Sequence, residues 1–178
     1  MTMTKLLALL RQSIHSRLYW GGLILLGLAL EGAALYYQYA LDEWPCVLCI
    51  HIRIWIFGFL LVAILAWLCT HSLIMMRLLH GLSLIMMIGF LERSYQVLAV
   101  ERGWIFGDCD MALGMPSWFA LDQWFPAIFE VQTSCGYTPL ILFQISMAEI
   151  LIVIAALLTL LSATLVIMSC LERTPTHR

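Results

Sequence analysis

Charged residues are scarce in this sequence. Only 11% of its 178 residues are charged, and the formal net charge is −2; soluble domains carry about 25% charged residues. The chain has no basic arm, no glycine-rich phosphate loop and no lysine-rich aromatic patch, so it lacks the features with which proteins bind nucleic acid. Internal repeats, low-complexity tracts and Pro/Ser linkers are also missing. The sequence therefore predicts a single domain over residues 1–178.

Hydrophobic residues make up 63% of the chain, and the mean hydropathy is +0.96. Four apolar stretches each reach the ~20 residues that a helix needs to cross a bilayer. They lie at about 18–40, 49–69, 73–97 and 147–170, with a long loop at about 101–146. The sequence predicts an all-α integral membrane protein, a bundle of four transmembrane helices. An aromatic-rich part of the loop, 115–129, predicts a short interfacial helix; a packed aromatic cluster is the alternative.

Lysine and arginine are distributed unevenly around the four stretches. The first connection and the long loop are mainly acidic, whereas positive charges precede the first stretch and follow the second and fourth. Cytoplasmic flanks carry the excess of Lys and Arg, so both termini are expected in the cytoplasm. The first stretch lacks a convincing cleavage site, which favours a retained helix over a secretory signal. The positive flanking residues are Lys5, Arg11, Arg17, Arg77, Arg173 and Arg178.

The six cysteines divide between the two sides of the predicted membrane. Two end their spans on the cytoplasmic side, where free thiols are expected. Four lie on the outer, oxidising side as two pairs, which suggests two disulfides. The cytoplasmic cysteines are Cys69 and Cys170, and the outer ones are Cys46, Cys49, Cys109 and Cys135.

The two outer pairs suggest different uses. A disulfide between Cys109 and Cys135 closes a long loop and contributes ~3–4 kcal/mol on the chain-entropy model, so a structural disulfide is one interpretation. The ring closed by Cys46 and Cys49 is too small to add much stability, which favours a reactive pair. The four outer cysteines also have the number of ligands that zinc requires. Thiols in an oxidising compartment pair with one another instead, so no metal is predicted.

Cys46 and Cys49 stand at the beginning of the second predicted helix. Pro45 suits the first helical position, and the positive end of the helix dipole lowers the pKa of thiols in the first turn. Arg53 follows Cys49 by four residues, hence on the same face and about 6 Å deeper. An ionisable residue in a span predicts a functional site. We expect Arg53 to face the Cys49 thiolate and an oxygen of a lipid-soluble electron acceptor such as a quinone; snorkelling to the surface is the alternative.

Other polar residues near the cysteines have less defined roles. Glu31 lies deep in the first span and is expected to bond inside the bundle. His51 points to a different face from the arginine and is expected to be interfacial. Asp108 and Asp110 flank Cys109 and are expected to raise its pKa, which suits a sulfur that is attacked; two solvated acids without influence are the alternative.

Two outward cysteine pairs, a CxxC opening the second of four helices and an arginine four residues later resemble the DsbB family of bacterial inner-membrane disulfide-forming proteins. The motifs are "ALEGAALYYQ", "PCVLCIHIR" and "CDM…PSWFALDQWFP…C", and the resemblance covers nearly the whole chain. It implies a quinone-dependent protein-disulfide oxidoreductase of the bacterial inner membrane with periplasmic active cysteines. Such a protein reoxidises a periplasmic DsbA-like thiol oxidase and passes the electrons to ubiquinone or menaquinone.

The resemblance also implies roles for individual residues. Cys109 and Cys135 form the disulfide that oxidises the partner, with Cys109 in the mixed disulfide. Cys46 and Cys49 form the disulfide that reoxidises this loop pair, and Cys49 with Arg53 contacts the quinone. Three alternatives stay open: a vitamin K epoxide reductase-like enzyme that runs the same chemistry in reverse, a heavy-metal thiolate transporter, and a non-catalytic membrane scaffold with two structural disulfides.

Overall fold

Four long helices dominate the structure, a computed structural model that describes residues 16–70, 72–107, 111–142 and 144–171. They are α1 (Arg17–Ala40), α2 (Val47–Leu68), α3 (Leu73–Glu101) and α6 (Met147–Leu171). The helices contain 22 to 29 residues, and at 1.5 Å per residue even the shortest one crosses the ~30 Å hydrocarbon core. The prediction of a multi-pass, four-helix membrane bundle is confirmed.

The end of α3 lies four residues beyond the predicted span of about 73–97, at the start of the predicted long loop. The helix continues to Glu101, and its C-cap residue Arg102 donates its backbone N–H to the carbonyls of the last turn. The charged residues in this region bond along the helix surface: Arg93 lies 3.0 Å from Glu92 and donates to Gln96 at 2.9 Å. The pair of Arg93 and Gln96, three residues apart, is of the kind that stabilises a helix.

Side chains at the helix starts satisfy backbone N–H groups that have no partner inside the helix. Ser16 and Ser72 each accept a hydrogen bond from the N–H three residues later, both at 3.4 Å. Ser146 and Glu149 bond reciprocally, at 3.3 and 3.0 Å, in the capping-box arrangement. At the start of α2 the capping residue is a cysteine, Cys46. The Cys46 thiol thus occupies the N-cap position that serine occupies in α1 and α3.

The spanning helices pack side by side: α2 lies between α1 and α3, and α6 packs against α3. Close approach of α2 and α3 depends on Gly89, because a Cβ at this position would lie 2.5 Å from the ring of Trp55. Leucines cover much of the outer surface, including Leu25, Leu61 and Leu160. An apolar outer surface of this kind suits a bundle that lipid surrounds.

The connection from α3 to α6 forms several short elements. The aromatic segment breaks into three helical turns instead of one helix, and Pro126 begins the last of them, where its missing N–H is tolerated. The rings of Trp118 and Trp124 each contact Phe119, but both tryptophans are exposed, so the aromatic side chains form only a partly packed, exposed cluster. Two short antiparallel strands form a hairpin just before α6, and the sequence did not predict it. These elements are a 3-10 turn (Ser117–Phe119), α4 (Leu121–Trp124), α5 (Pro126–Phe129), β1 (Leu140–Leu142) and β2 (Ile145–Ser146).

Candidate active site

Cys46 and Cys49 lie at the start of α2. The Sγ of Cys46 accepts a hydrogen bond from the backbone N–H of Cys49 at 3.4 Å. Both are free thiols, and their sulfurs lie 2.7 Å apart, so the predicted disulfide between them stays a prediction. The hydrogen bond with Cys49 lowers the pKa of the Cys46 thiol to about 7, although burial acts in the opposite direction. The helix start therefore favours a thiolate at Cys46.

Arg53 is held inside the bundle. Its side chain is only 5% exposed, so it does not snorkel to the surface. Nη1 donates to Oε1 of Gln38 at 2.6 Å and to the carbonyl of Ile128 at 2.8 Å, and Nη2 donates to the carbonyl of Ala34 at 3.1 Å. These acceptors are neutral and belong to α1 and α5. They fix the guanidinium in position without cancelling its charge.

Cys49 and Arg53 line one cleft of about 210 Å³. Glu31 of α1 lines the same cleft. An apolar cavity of ~150 Å³ is large enough to hold benzene, so this cleft has room for a molecule built around one ring. All four long helices contribute apolar wall residues, which include Ala34, Ile52, Ile56, Val97, Leu151 and Ile154.

The long loop folds back onto the start of α2. Thr133 forms an isolated parallel β-bridge with Cys46. The N–H groups of Gln132 and Thr133 donate to the carbonyl of Pro45 at 3.0 and 3.3 Å. Cys135, two residues further along the loop, is disulfide-bonded and packs against the buried core. The structure therefore brings the segment of Cys135 next to the CxxC pair.

The segment around Cys109 lies outside the described residues, together with Asp108 and Asp110. The predicted role of Cys109 in the mixed disulfide therefore stays a prediction, and so does the influence of the two acids on its pKa. The predicted free thiols at the other end of the bundle are present: Cys69 is partly buried and Cys170 is exposed. Neither is disulfide-bonded.

His51 connects α2 to the loop that follows Cys109. Its Nε2 donates to the carbonyl of Leu113 at 3.1 Å, and Leu113 is itself buried. The prediction of a merely interfacial side chain was incomplete, because the ring holds a loop segment against the helix. The other ring nitrogen, Nδ1, is buried without a hydrogen-bond partner among the described residues.

One carboxyl oxygen of Glu31 lacks, among the described residues, the bond inside the bundle that the sequence suggests. Its Oε1 is buried and has no hydrogen-bond partner in the part of the chain that the structure describes. The same part of the chain contains no group of three or more His, Cys, Asp and Glu residues arranged to hold a metal ion.

Gln38 is the site residue that the sequence analysis missed. Its side chain is buried, its Oε1 accepts from Arg53, and its Nε2 donates to Oε1 of Gln132 at 3.2 Å. It thus links the arginine to the loop segment that pairs with Cys46. The sequence could have identified it, because Gln38 lies within the first predicted span, where a polar side chain must find polar partners inside the protein.

A pair of neighbouring thiols beside a cleft inside a membrane helix bundle is typical of membrane thiol–disulfide oxidoreductases. The model of the family described as Disulfide bond formation protein DsbB matches residues 16–165. The chain belongs to this family, and it is a membrane disulfide oxidoreductase.

Relatives with the same description cover most of the chain. A disulfide bond formation protein B of Haemophilus influenzae is 33% identical over 165 residues, 91% of this chain and 92% of the relative. One of Shewanella frigidimarina is 33% identical over 143 residues, 79% of this chain and 83% of the relative. Disulfide bond formation protein B 2 of Pseudomonas aeruginosa is 30% identical over 145 residues, with shares of 78% and 83%. These relatives do not support the reductase-like and transporter alternatives.

Proposed function

We propose that the protein reoxidises a periplasmic DsbA-like thiol oxidase and passes the electrons to a membrane quinone, either ubiquinone or menaquinone. The observation that carries the proposal is the position of Cys49. Its sulfur contacts that of Cys46 at the helix start, and Cys49 lines the same apolar cleft as Arg53. One sulfur is thus adjacent both to its partner thiol and to a ring-sized space between the helices.

The cleft suits a quinone headgroup in size and in chemistry. Its apolar walls match a lipid-soluble ring, and its volume of about 210 Å³ accepts one. When bound, a quinone supplies an acceptor for two electrons. Cys49 and Arg53 would hold it, because a fixed, buried cation stabilises negative charge that develops on a nearby oxygen.

Thiol–disulfide exchange proceeds through mixed disulfides and needs no metal. We assign Cys109 and Cys135 as the disulfide that the partner's thiolate attacks, with Cys109 in the mixed disulfide. The reduced loop pair then exchanges with a Cys46–Cys49 disulfide. Because Thr133 pairs with Cys46, an attack by Cys135 on the sulfur of Cys46 requires the least movement of the loop. That attack releases the thiolate of Cys49 at the wall of the cleft.

The reduced Cys46 and Cys49 then form their disulfide again. Because the hydrogen bond with Cys49 lowers its pKa, the Cys46 thiol is more ionised at neutral pH than an ordinary cysteine. Its sulfur lies 2.7 Å from that of Cys49. The N-cap geometry therefore places a nucleophile against the sulfur from which the electrons leave, and closing the ring restores the disulfide for the next cycle.

We further propose that the protein resides in the bacterial inner membrane with both termini in the cytoplasm and Cys46, Cys49, Cys109 and Cys135 on the periplasmic side. The distribution of Lys and Arg along the sequence supports this orientation. Labelling intact cells with a membrane-impermeant thiol reagent tests it: reduced Cys46 and Cys49 are expected to react from the periplasm. Modification from the cytoplasmic side alone would overturn the orientation.

The activity is tested with purified protein, a reduced DsbA-like protein and a ubiquinone or menaquinone analogue. We expect partner oxidation and quinone reduction in equal amounts, and we expect Cys49→Ser to abolish quinone reduction while the folded protein still inserts in the membrane. Cys170→Ser, which removes an exposed thiol at the other end of the bundle, is the matched control and is expected to keep full activity. Quinone reduction that survives Cys49→Ser would contradict the proposed role of Cys49. A wild type that neither oxidises the partner nor reduces the quinone would favour a scaffold with structural disulfides.

A further inference from the structure

Glu31 is a partly buried acidic residue to which the proposed electron transfer assigns no task. It lines the same cleft as Cys49 and Arg53. Its Oε1 is buried and lacks a hydrogen-bond partner among the described residues. An unsatisfied buried carboxyl oxygen costs free energy. A purely structural carboxyl is expected to have a partner for each buried oxygen, so this one points to the chemistry of the cleft.

None of the hydrogen bonds of the neighbouring Arg53 goes to the Glu31 carboxyl, so the arginine does not prevent this carboxyl from exchanging a proton. Arg53 acts on it through its charge, but the hydrogen bonds of the guanidinium go to Gln38 and to two backbone carbonyls. α3 and α6 contribute only apolar residues to the cleft. The other titratable or charged residues that line it are Cys49 on α2, Tyr37 on α1, Glu43 in the connection between these helices and Tyr137 before β1.

The proposed reaction moves protons as well as electrons. Oxidation of the Cys46–Cys49 dithiol breaks two S–H bonds, forms one S–S bond and releases two electrons and two protons. Reduction of a quinone to a quinol consumes the same two electrons and two protons, with one new O–H bond at each carbonyl oxygen. The protons must therefore travel from the sulfurs to the cleft. An apolar cleft offers them few carriers.

We propose that Glu31 is the proton-relay residue of this cleft: its carboxylate takes up a proton released by the dithiol, and its carboxylic acid gives that proton to the acceptor oxygen. Two such transfers complete one cycle and return Glu31 to its starting protonation state. Arg53 does not serve as the relay, because a guanidinium does not release its proton in proteins; it stabilises charge instead. This inference rests on the proposed function.

The relay is tested with Glu31→Gln and Glu31→Asp. Glutamine keeps the size of the side chain but cannot carry a proton, whereas aspartate can. Protein reduced beforehand is mixed rapidly with a quinone analogue at a series of pH values. General acid–base catalysis contributes typically 100-fold or more, so Glu31→Gln is expected to slow quinone reduction about 100-fold and to flatten the pH profile, while Glu31→Asp retains most of the rate. Glu130→Gln, a change at an exposed loop carboxylate, is the matched control and is expected to behave as wild type.

Two measurements without quinone separate proton transfer from structural damage. Exchange between the cysteine pairs and a DsbA-like protein is expected to keep its rate in Glu31→Gln. The infrared spectrum of the wild type, titrated with acid, is expected to contain a carboxylic-acid C=O band that Glu31→Asp shifts and Glu31→Gln removes. The shift with aspartate provides the test even where the glutamine variant fails to fold.

The outcomes distinguish this inference from the function on which it rests. A wild type that reduces no quinone would refute the proposed function. A wild type that does so, together with a glutamine variant of equal rate and equal pH profile, would refute the relay alone. Equal slowing by glutamine and aspartate with an unchanged pH profile would also refute it, because that result assigns Glu31 a structural role.

Discussion

The two ends of α2 each carry a cysteine, and the comparison shows how a helix end sets the surroundings of a thiol. Cys46 caps the N-terminal end, where its sulfur accepts the N–H of Cys49. Cys69 caps the C-terminal end, where its own backbone N–H donates to the carbonyl of Leu65. The first end presents free N–H donors and the positive pole of the helix, and the second presents carbonyl acceptors and the negative pole. The first end therefore stabilises a thiolate at Cys46.

Two arginines repeat the contrast between the ends of the bundle. Arg53, near the CxxC end, is buried beside the cleft and bonds to two separate elements. Arg77, at the opposite end, is partly exposed, and its Nε donates to the carbonyl of Ser169 at 2.9 Å, which joins the start of α3 to the end of α6. Both arginines hold helices together, but only Arg53 also places its charge at the cleft.

The largest expected effect therefore comes from Arg53→Met compared with Arg77→Met. Each change removes donors from buried or partly buried acceptors, so each is expected to lower the free energy of unfolding by about 1–3 kcal/mol. Loss of a fixed charge at a reacting centre costs about 100-fold or more in rate, so only Arg53→Met is expected to lower quinone reduction to that extent. Stopped-flow quinone reduction and thermal unfolding of the two purified variants provide the comparison. Equal rates in both would show that the Arg53 charge takes no part in the reaction.

A smaller effect is expected at Cys46. Its pKa of about 7 depends mainly on the hydrogen bond with Cys49, so Cys49→Ala is expected to move the midpoint of Cys46 alkylation upward, toward the ordinary value of ~8.5. Cys49→Ser keeps a donor at this position and is expected to leave the midpoint lower. A thiol with a higher pKa forms a thiolate that is a stronger nucleophile, so the absolute alkylation rate changes for two reasons at once. The pH at the midpoint of the alkylation curve is therefore the quantity to compare. Peptide mass spectrometry of alkylated Cys46 over pH 5–10 measures it, and identical midpoints in the two variants would exclude the hydrogen bond as the cause.

Features that depend on helix geometry within one segment were predictable from the sequence. The length of the apolar stretches determines four spans. Pro45 lies near the start of α2 as predicted, but it precedes the N-cap Cys46 and does not occupy the first helical position, because the helix begins at Val47. A spacing of four residues places Arg53 on the face of Cys49, and both line the cleft. Each of these inferences uses only residues that are close together in the chain.

Contacts between distant segments were not predictable. The carbonyl of Ile128 lies 75 positions from Arg53, its hydrogen-bond donor, and no side chain marks a backbone carbonyl as a partner. The bridge between Thr133 and Cys46 is likewise a backbone contact, so no residue type announces it. That Oε1 of Glu31 has no hydrogen-bond partner among the described residues depends on how the helices assemble around the cleft, so the sequence does not show it.

The smallest expected effect concerns the loop contact at the CxxC end, where Nε2 of His51 donates to the carbonyl of Leu113 at 3.1 Å. His51→Phe keeps a ring of similar size but removes this donor, and loss of one hydrogen bond costs about 1 kcal/mol. Amide exchange in the segment around Leu113, measured by mass spectrometry in lipid nanodiscs, is expected to accelerate about fivefold, since 1.4 kcal/mol corresponds to a factor of ten. The matched change at the opposite end is Thr70→Val, which removes the exposed acceptor of Arg17 at 3.4 Å and is expected to leave exchange there nearly unchanged. Unchanged exchange around Leu113 would mean that the His51 contact does not anchor this segment. Equal acceleration at both ends would mean that both contacts anchor their segments, so the two ends would differ in chemistry but not in local stability.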